Sequence, residues 1–232
     1  MTPVLAEFRD RHVVVTGATG ALGRVVAAQL LEAGAVCHLP VRGKATAFDG
    51  VARARVAHGV DLSDAAAVQK FYAGIPRLWA SIHAAGGFAF GPVATLEDKT
   101  LHDLLAMNFI SCALCCRAAI GGMKAGGGRI VNVTARAGVD WRRGSGMAAY
   151  AASKAAVAAF TVALAGEVKN DGILVNAVAP SIIDTPANRR DMPDADFSAW
   201  PTAEEISAAI LALATPSNVA ASGDIVPIYG RA

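Results

Sequence analysis

Tyr150 and Lys154 stand one helical turn apart in an alanine-rich run that reads as a helix through Ala165. Side chains at i and i+4 share a helix face, so the Lys154 ammonium is expected near the Tyr150 phenol. An unperturbed phenol has a pKa of about 10, too high to exchange its proton readily at neutral pH. A fixed cation beside it favours the phenolate and lowers that value. A tyrosine tuned in this way passes a proton to or from a carbonyl or alcohol oxygen. A surface tyrosine beside a solvated lysine has the same spacing, so the pair carries weight only together with the rest of the chain.

Upstream lie the elements such a pair needs. His12–Thr16 is a short β-branched strand that breaks into Gly17-Ala18-Thr19-Gly20-Ala21-Leu22-Gly23, followed by a helical run from Arg24 to Glu32 stopped at Gly34. Strand, glycine turn and helix in that order bring backbone amides against a pyrophosphate at a helix N-terminus. Gly17, Thr19, Gly20, Ala21, Leu22 and Gly23 are therefore the expected cofactor cradle. A second strand, Ala35 to Leu39, is expected to stop near Pro40, which cannot donate in a central ladder. About 20 residues past the turn an NAD enzyme places an acid on the ribose 2′-hydroxyl. Here the stretch is Val41-Arg42-Gly43-Lys44, and Arg42 suits a 2′-phosphate, which favours NADP(H) over NAD(H). A solvated basic loop is the plain alternative.

A third strand, Val56 to Val60, leads to Asp61-Leu62-Ser63-Asp64 and a helix from Ala65 to about Tyr72. Asp61 is expected at the adenine, and Asp61 or Ser63 as the helix cap. The fourth strand, Leu78 to Ile82, opens at His83-Ala84-Ala85-Gly86-Gly87, where small residues admit the cofactor. Asn108 sits inside a long helical pattern, roughly Glu97 to Met123, where a buried amide needs partners; it holds a kink or a water chain, or is partly exposed. A fifth strand spans Arg129 to Thr134, and a sixth spans Ile173 to Ala179 and breaks at Pro180. A last helix covers about Ala203 to Ala214, and Asp224 to Ile228 is the seventh strand. Alternating β and α units of this length predict one α/β domain over residues 1–232, a parallel sheet with helices on both faces.

Composition narrows the function. With 232 residues, 54% of them hydrophobic, the chain can bury a full core as one domain. A formal charge of +2 is too mild to point to nucleic acid. Only 17% of residues are charged and the mean hydropathy is +0.41, which favours a surface buried in a homo-oligomer or an open apolar substrate pocket. Met1 to Arg11 carries Glu7 and Asp10 and lacks the apolar core of a secretory leader. No run reaches 18 apolar residues, so no membrane span is expected. Of four cysteines, three cluster as Cys112-x-x-Cys115-Cys116, with His102 the only histidine nearby in sequence. They are expected as small buried residues rather than a metal site, and free thiols fit a cytoplasmic location.

Together these residues resemble the short-chain dehydrogenase/reductase family along nearly the whole chain. The resemblance is carried by Thr16-Gly17 through Gly23, Asp61-Leu62, Ala84-Ala85-Gly86, Asn108, Tyr150-x-x-x-Lys154, and Asn176 to Pro180 followed by Ile183 and Thr185. It implies a Rossmann-type three-layer αβα domain with a seven-stranded parallel sheet, assembled as a tetramer or dimer and moving hydride between a nicotinamide and a carbonyl or alcohol. By position it implies Tyr150 as acid/base, with Lys154 on the nicotinamide ribose and lowering the tyrosine pKa. Asn108 would anchor a relay water, Pro180 would border the cofactor, and Ile183 and Thr185 would hold the carboxamide.

Three positions depart from that pattern. Ala21, beside Gly20, stands where a turn glycine is usual. His83 and Ala84 replace paired asparagines that brace the fourth strand. At the end of the fifth strand Ala135 replaces a serine that donates to the substrate oxygen, and losing such a donor typically costs about a hundredfold or more in rate. Thr134 is a poor substitute, since neighbouring strand residues face opposite sides; Ser145 or a water is a possible stand-in. The segment Asp184 to Trp200 also resembles the corresponding loop of dihydropteridine reductases, which lack the serine too. The favoured expectation is an NADP(H)-dependent carbonyl or 3-oxoacyl thioester reductase, with pterin reduction or a catalytically weak NADP(H) sensor as alternatives. Trp141, Arg142 and Arg143 are expected at the substrate mouth or as a solvated basic loop.

Overall fold

His12–Thr16 forms β1, and its three valines are fully buried because both faces of the strand are covered. Side chains alternate across a strand. Val13 and Val15 accordingly pack in one apolar cluster and Val14 in another, on the opposite face of the sheet. The computed structural model describes residues 6–43, 46–123 and 126–231. Seven parallel strands run in the order β3-β2-β1-β4-β5-β6-β7, with β2 at Val36–Val41, β3 at Ala54–His58, β4 at Leu78–His83, β5 at Gly128–Val133, β6 at Ile173–Pro180 and β7 at Ile225–Ile228. The expected single α/β domain with a seven-stranded parallel sheet is the observed one.

Helices α1 (Ala21–Glu32) and α2 (Ala65–Ala73) follow β1 and β3. After β4 come α3 (Asp98–Leu104), a π-helical turn (Leu105–Ile110) and α4 (Ser111–Met123). Then come the short α5 (Arg136–Val139), the long α6 (Ala148–Val168), α7 (Pro186–Asp191) and α8 (Ala203–Ala214). Val26, Leu30, Ile206 and Ile210 of α1 and α8 cover one face of the sheet. Val68, Cys112, Cys116, Val157 and Leu164 of α2, α4 and α6 cover the other. The runs Asp98–Met123 and Ala148–Asp171 are long and apolar enough to cross a membrane by length and composition. Both are seated on the sheet through these buried residues, which accounts for their apolarity.

Three details of the first half of the sheet differ from expectation. The second strand does not stop at Pro40 but continues to Val41, pairing with β3 throughout. Val36 N donates to β1 at Arg11 O and Cys37 N donates toward β3 at Arg53 O, so even-numbered amides face β1. Pairing with β1 ends at His38, so the missing amide of Pro40 removes no ladder bond. The third strand lies two residues earlier than expected, at Ala54–His58. Asp64, not Asp61 or Ser63, caps α2 by accepting from Ala66 N and Ala67 N.

Replacing the bracing asparagines by His83 and Ala84 does not leave β4 loose. His83 Nδ1 lies 2.8 Å from Asn132 Oδ1 on β5, and its Nε2 lies 2.8 Å from Ser81 Oγ. Tyr72 OH of α2 reaches Ser81 Oγ at 2.8 Å, and Asn132 Nδ2 donates to Thr161 Oγ1 of α6. A chain of buried polar groups thus crosses two strands and links helices α2 and α6.

Candidate active site

In an open parallel sheet, ligands bind beyond the carboxyl ends of the strands where the strand order reverses. That point here lies between β1 and β4. Gly17 leaves β1 with φ +71°, and a Cβ there would lie 2.7 Å from Ala85 N and 2.8 Å from the Ala84 carbonyl. A Cβ at Gly23 would collide with the Gly17 carbonyl. Thr16 Oγ1 accepts from Ala85 N at 3.1 Å and ties the two strand ends together. Thr19 and Gly20 are exposed at the opening of α1, Ala21 begins it, and Leu22 turns into the core. The turn therefore fits the phosphates of a dinucleotide: its amides are open, and only hydrogen fills the closest contacts.

Arg42 is exposed just after β2, and its charge helps lower the Asp61 carboxyl below the usual carboxylate value. The larger cause of that lowering is the pair of bonds Asp61 accepts from the Ser63 hydroxyl and amide. Leu62 packs inward with Val68 and Tyr72, so only its backbone faces the cleft. Lys44 lies outside the described residues.

Asn108 occupies the π-helical turn, a distortion often found at functional sites. Of the alternatives expected for it, partial exposure is not what is found: the side chain is buried, at 1% exposure. Its Oδ1 accepts from Gly87 N, while Nδ2 donates to Gly87 O at 3.0 Å and Ser153 Oγ at 2.9 Å. A Cβ on Gly86 would lie 2.6 Å from Asn108 Oδ1 and 3.1 Å from Lys154 Nζ. Gly86, Asn108 and Lys154 therefore converge on one cradle that any larger residue would fill.

Lys154 is 6% exposed and donates from Nζ to Val133 O at the end of β5, at 3.0 Å. Desolvation pulls its pKa down to about 8. Tyr150, one turn earlier, packs edge-to-face with Phe88 at 4.9 Å between ring centres. Burial pushes the phenol up to about 12, opposite to the expected lowering. The physical reason is that the Lys154 amine is drawn to the Val133 carbonyl, and desolvation of the phenol outweighs any help from the cation. At neutral pH Tyr150 holds its proton, the state needed by a general acid.

Ala135 is buried beside this site, and Thr134 Oγ1 is committed to Lys154 O at 2.6 Å. Thr134 therefore braces α6 and does not replace the missing serine. Ser145 is exposed in the loop before α6. Trp141 does not line the mouth beside Tyr150. It sits in a hollow with Gly144, Ala148, Ala151, Ala152 and Ala155, and on α6 those alanines face away from Tyr150 and Lys154. Arg142 is exposed, and Arg143 pairs with Asp140 at 3.7 Å.

Pro180 ends β6, and Ile183 and Thr185 follow on the same rim. Thr185 Oγ1 caps α7 through Asn188 N, and Asn188 Nδ2 donates to Ile183 O at 2.8 Å. Asn188 and Phe88 are site residues that sequence reasoning missed. Phe88 carries no local pattern, and only the tertiary structure sets it against Tyr150; Asn188 is legible as the third residue after the Thr185 cap.

The short chain dehydrogenase family model matches residues 11–196. The chain belongs to this family. A 3beta-hydroxysteroid dehydrogenase from Mediterraneibacter gnavus is 33% identical over 202 residues, spanning 82% of this chain and 72% of its own. A 3-oxoacyl-(acyl-carrier-protein) reductase from Pseudomonas aeruginosa is 32% identical over 247 residues, spanning 96% of this chain and 97% of its own. The solved structure of ElxO with NADP bound superposes with a TM-score of 0.82 at 22% identity, covering 95% of this chain and 98% of that one. This short-chain dehydrogenase/reductase is accordingly an oxidoreductase that uses a nicotinamide cofactor, which supplies or accepts hydride when bound.

The two pKa directions set a pH dependence. A protonated Tyr150 persists toward pH 12, whereas the Lys154 charge is lost as pH rises through about 8. Carbonyl reduction should therefore lose kcat/KM above pH about 8 with a one-proton slope, and Lys154→Arg, which stays charged, should remove that break even if overall turnover is lower. A wild-type profile still flat at pH 10 would contradict the assignment.

Proposed function

We propose that the chain is an NADP(H)-dependent reductase of a carbonyl or 3-oxoacyl thioester. The observation that carries this reading is the convergence of Gly86, Asn108 and Lys154 beside Tyr150 at the strand-order reversal. In this reading Tyr150 delivers its proton to the substrate oxygen as that oxygen gains negative charge. Lys154 orients the cofactor ribose, and Asn108 fixes the Gly87 backbone and the Ser153 hydroxyl around them. Exposed Arg42 supports NADP(H), because a guanidinium pairs a 2′-phosphate bidentately; the NADP held by ElxO is consistent with it.

Ala135 favours a second reading, reduction of a quinonoid dihydropterin. That substrate is readily reduced and depends less on a donor to a developing oxyanion. Side-by-side turnover of an acetoacetyl thioester and quinonoid dihydropterin under NADPH separates the two readings.

The groove lined by Leu114, Arg117, Ile120 and Phe160 between α4 and α6 supports a homo-oligomer assembled through these helices. Light scattering should report a dimer or tetramer for the parent chain and monomer for Ile120→Glu, which puts a charge in the groove. A monomeric parent would remove the assembly from the reading.

Two substitutions test the chemistry. Tyr150→Phe should lower kcat for carbonyl reduction by about 10²–10⁴-fold, the usual contribution of a positioned acid, while NADPH binding measured by calorimetry persists. Retained turnover would remove Tyr150 from the mechanism. Arg42→Asp should weaken NADPH binding by roughly 10- to 100-fold through loss of one charge-assisted contact and shift preference toward NADH. Equal affinity of the parent for both cofactors would sink the phosphate assignment.

A further inference from the structure

The cysteine cluster on α4 meets a histidine that lies far away in sequence. Cys112 and Cys116 are one turn apart on the buried face of α4, and β4 delivers His83 to the same place. His83 Nδ1, Cys112 Sγ and Cys116 Sγ all lie within 4.8 Å of one another. His83 Nδ1 is 3.4 Å from Cys116 Sγ and 4.0 Å from Cys112 Sγ. Asn132 of β5 adds a fourth donor. Its Oδ1 is 2.8 Å from His83 Nδ1, 3.2 Å from Cys112 Sγ and 3.6 Å from Cys116 Sγ.

Zinc bonded at about 2.3 Å to sulfur and about 2.0–2.1 Å to nitrogen or oxygen separates tetrahedral neighbours by roughly 3.3–3.8 Å. Five of the six donor separations, 2.8–4.0 Å, bracket that range, and the two sulfurs lie within 4.8 Å of each other. The surroundings orient the donors as well. Asn132 Nδ2 donates to Thr161 Oγ1, which turns Oδ1 toward the cluster. His83 Nε2 faces Ser81 Oγ, the oxygen contact that a metal-ligating histidine makes with its second nitrogen. With no cation, a histidine N–H and two thiols converge on a single amide oxygen with two lone pairs. One cation at the centre replaces all three hydrogens.

We propose that His83 Nδ1, Cys112 Sγ, Cys116 Sγ and Asn132 Oδ1 form a structural zinc(II) site clamping β4 and β5 to α4. Binding releases the two thiol protons to solvent and leaves the His83 proton on Nε2, facing Ser81. Two thiolates against one divalent cation make the buried centre neutral. Zinc is preferred over copper(I) because an amide oxygen is a hard ligand. All four side chains are buried, so the ion enters as the chain folds and is then held against exchange.

The test uses the full-length untagged chain, purified without chelator. Mass spectrometry should find about one zinc per chain, retained through dialysis against EDTA and released by a mercurial that blocks thiols. Cys116→Ala and His83→Gln should each lose zinc by about tenfold or more with unchanged circular dichroism. Zinc absent from the parent, zinc stripped by EDTA from the native protein, copper in its place, or full zinc in both variants would each overturn the site. If neither variant folds, the parent chain refolded with cobalt(II) decides. Thiolate-to-cobalt charge transfer with intense tetrahedral bands supports the site, and a pale octahedral spectrum or no uptake refutes it.

Discussion

A buried ammonium is expensive unless something meets it, and the Lys154 amine meets one backbone carbonyl at the end of β5. That single bond places the lysine where α6 crosses the carboxyl ends of the strands. It also holds the cradle open, because Gly86 gives the amine room on the side opposite Val133. Thr134 reinforces the same junction by binding the Lys154 carbonyl. Helix α6 is thus tied to the end of the fifth strand at two points within two residues, and Tyr150 inherits its position from that docking.

The desolvation that keeps the site rigid also sets its chemistry. Burial moves the lysine and the tyrosine in opposite directions, so the first is nearer to losing its proton and the second holds its own more firmly. A tyrosine in that state suits proton delivery to a carbonyl better than removal from an alcohol. With Ala135 in place of a serine, Thr134 does not supply the missing donor, since its hydroxyl is already engaged with the Lys154 carbonyl.

Much of the site was legible from spacing. The glycine turn, Arg42, Ala84 to Gly86, Asn108 and the Tyr150–Lys154 pair all fall on one rim because parallel β-α units present their strand ends on the same side. Less was legible wherever a partner arrives from another element. Pro40 reads as a strand end until the alternation of amides shows that its missing hydrogen faces an unpaired stretch. Spacing alone leaves Trp141 open between the substrate mouth and a solvated loop, and the fold sets it against the alanine face of α6 turned away from Tyr150.

Local pattern by itself determined the order of elements and the family, because periodicity and turn chemistry act over a few residues. Only tertiary structure decided the direction in which Tyr150 and Lys154 shift, since desolvation depends on everything packed around a group rather than on the residue four positions away. It likewise decided that His83, 29 residues from Cys112 along the chain, shares a cluster with it. A strand and a helix distant in sequence become neighbours only when the sheet forms.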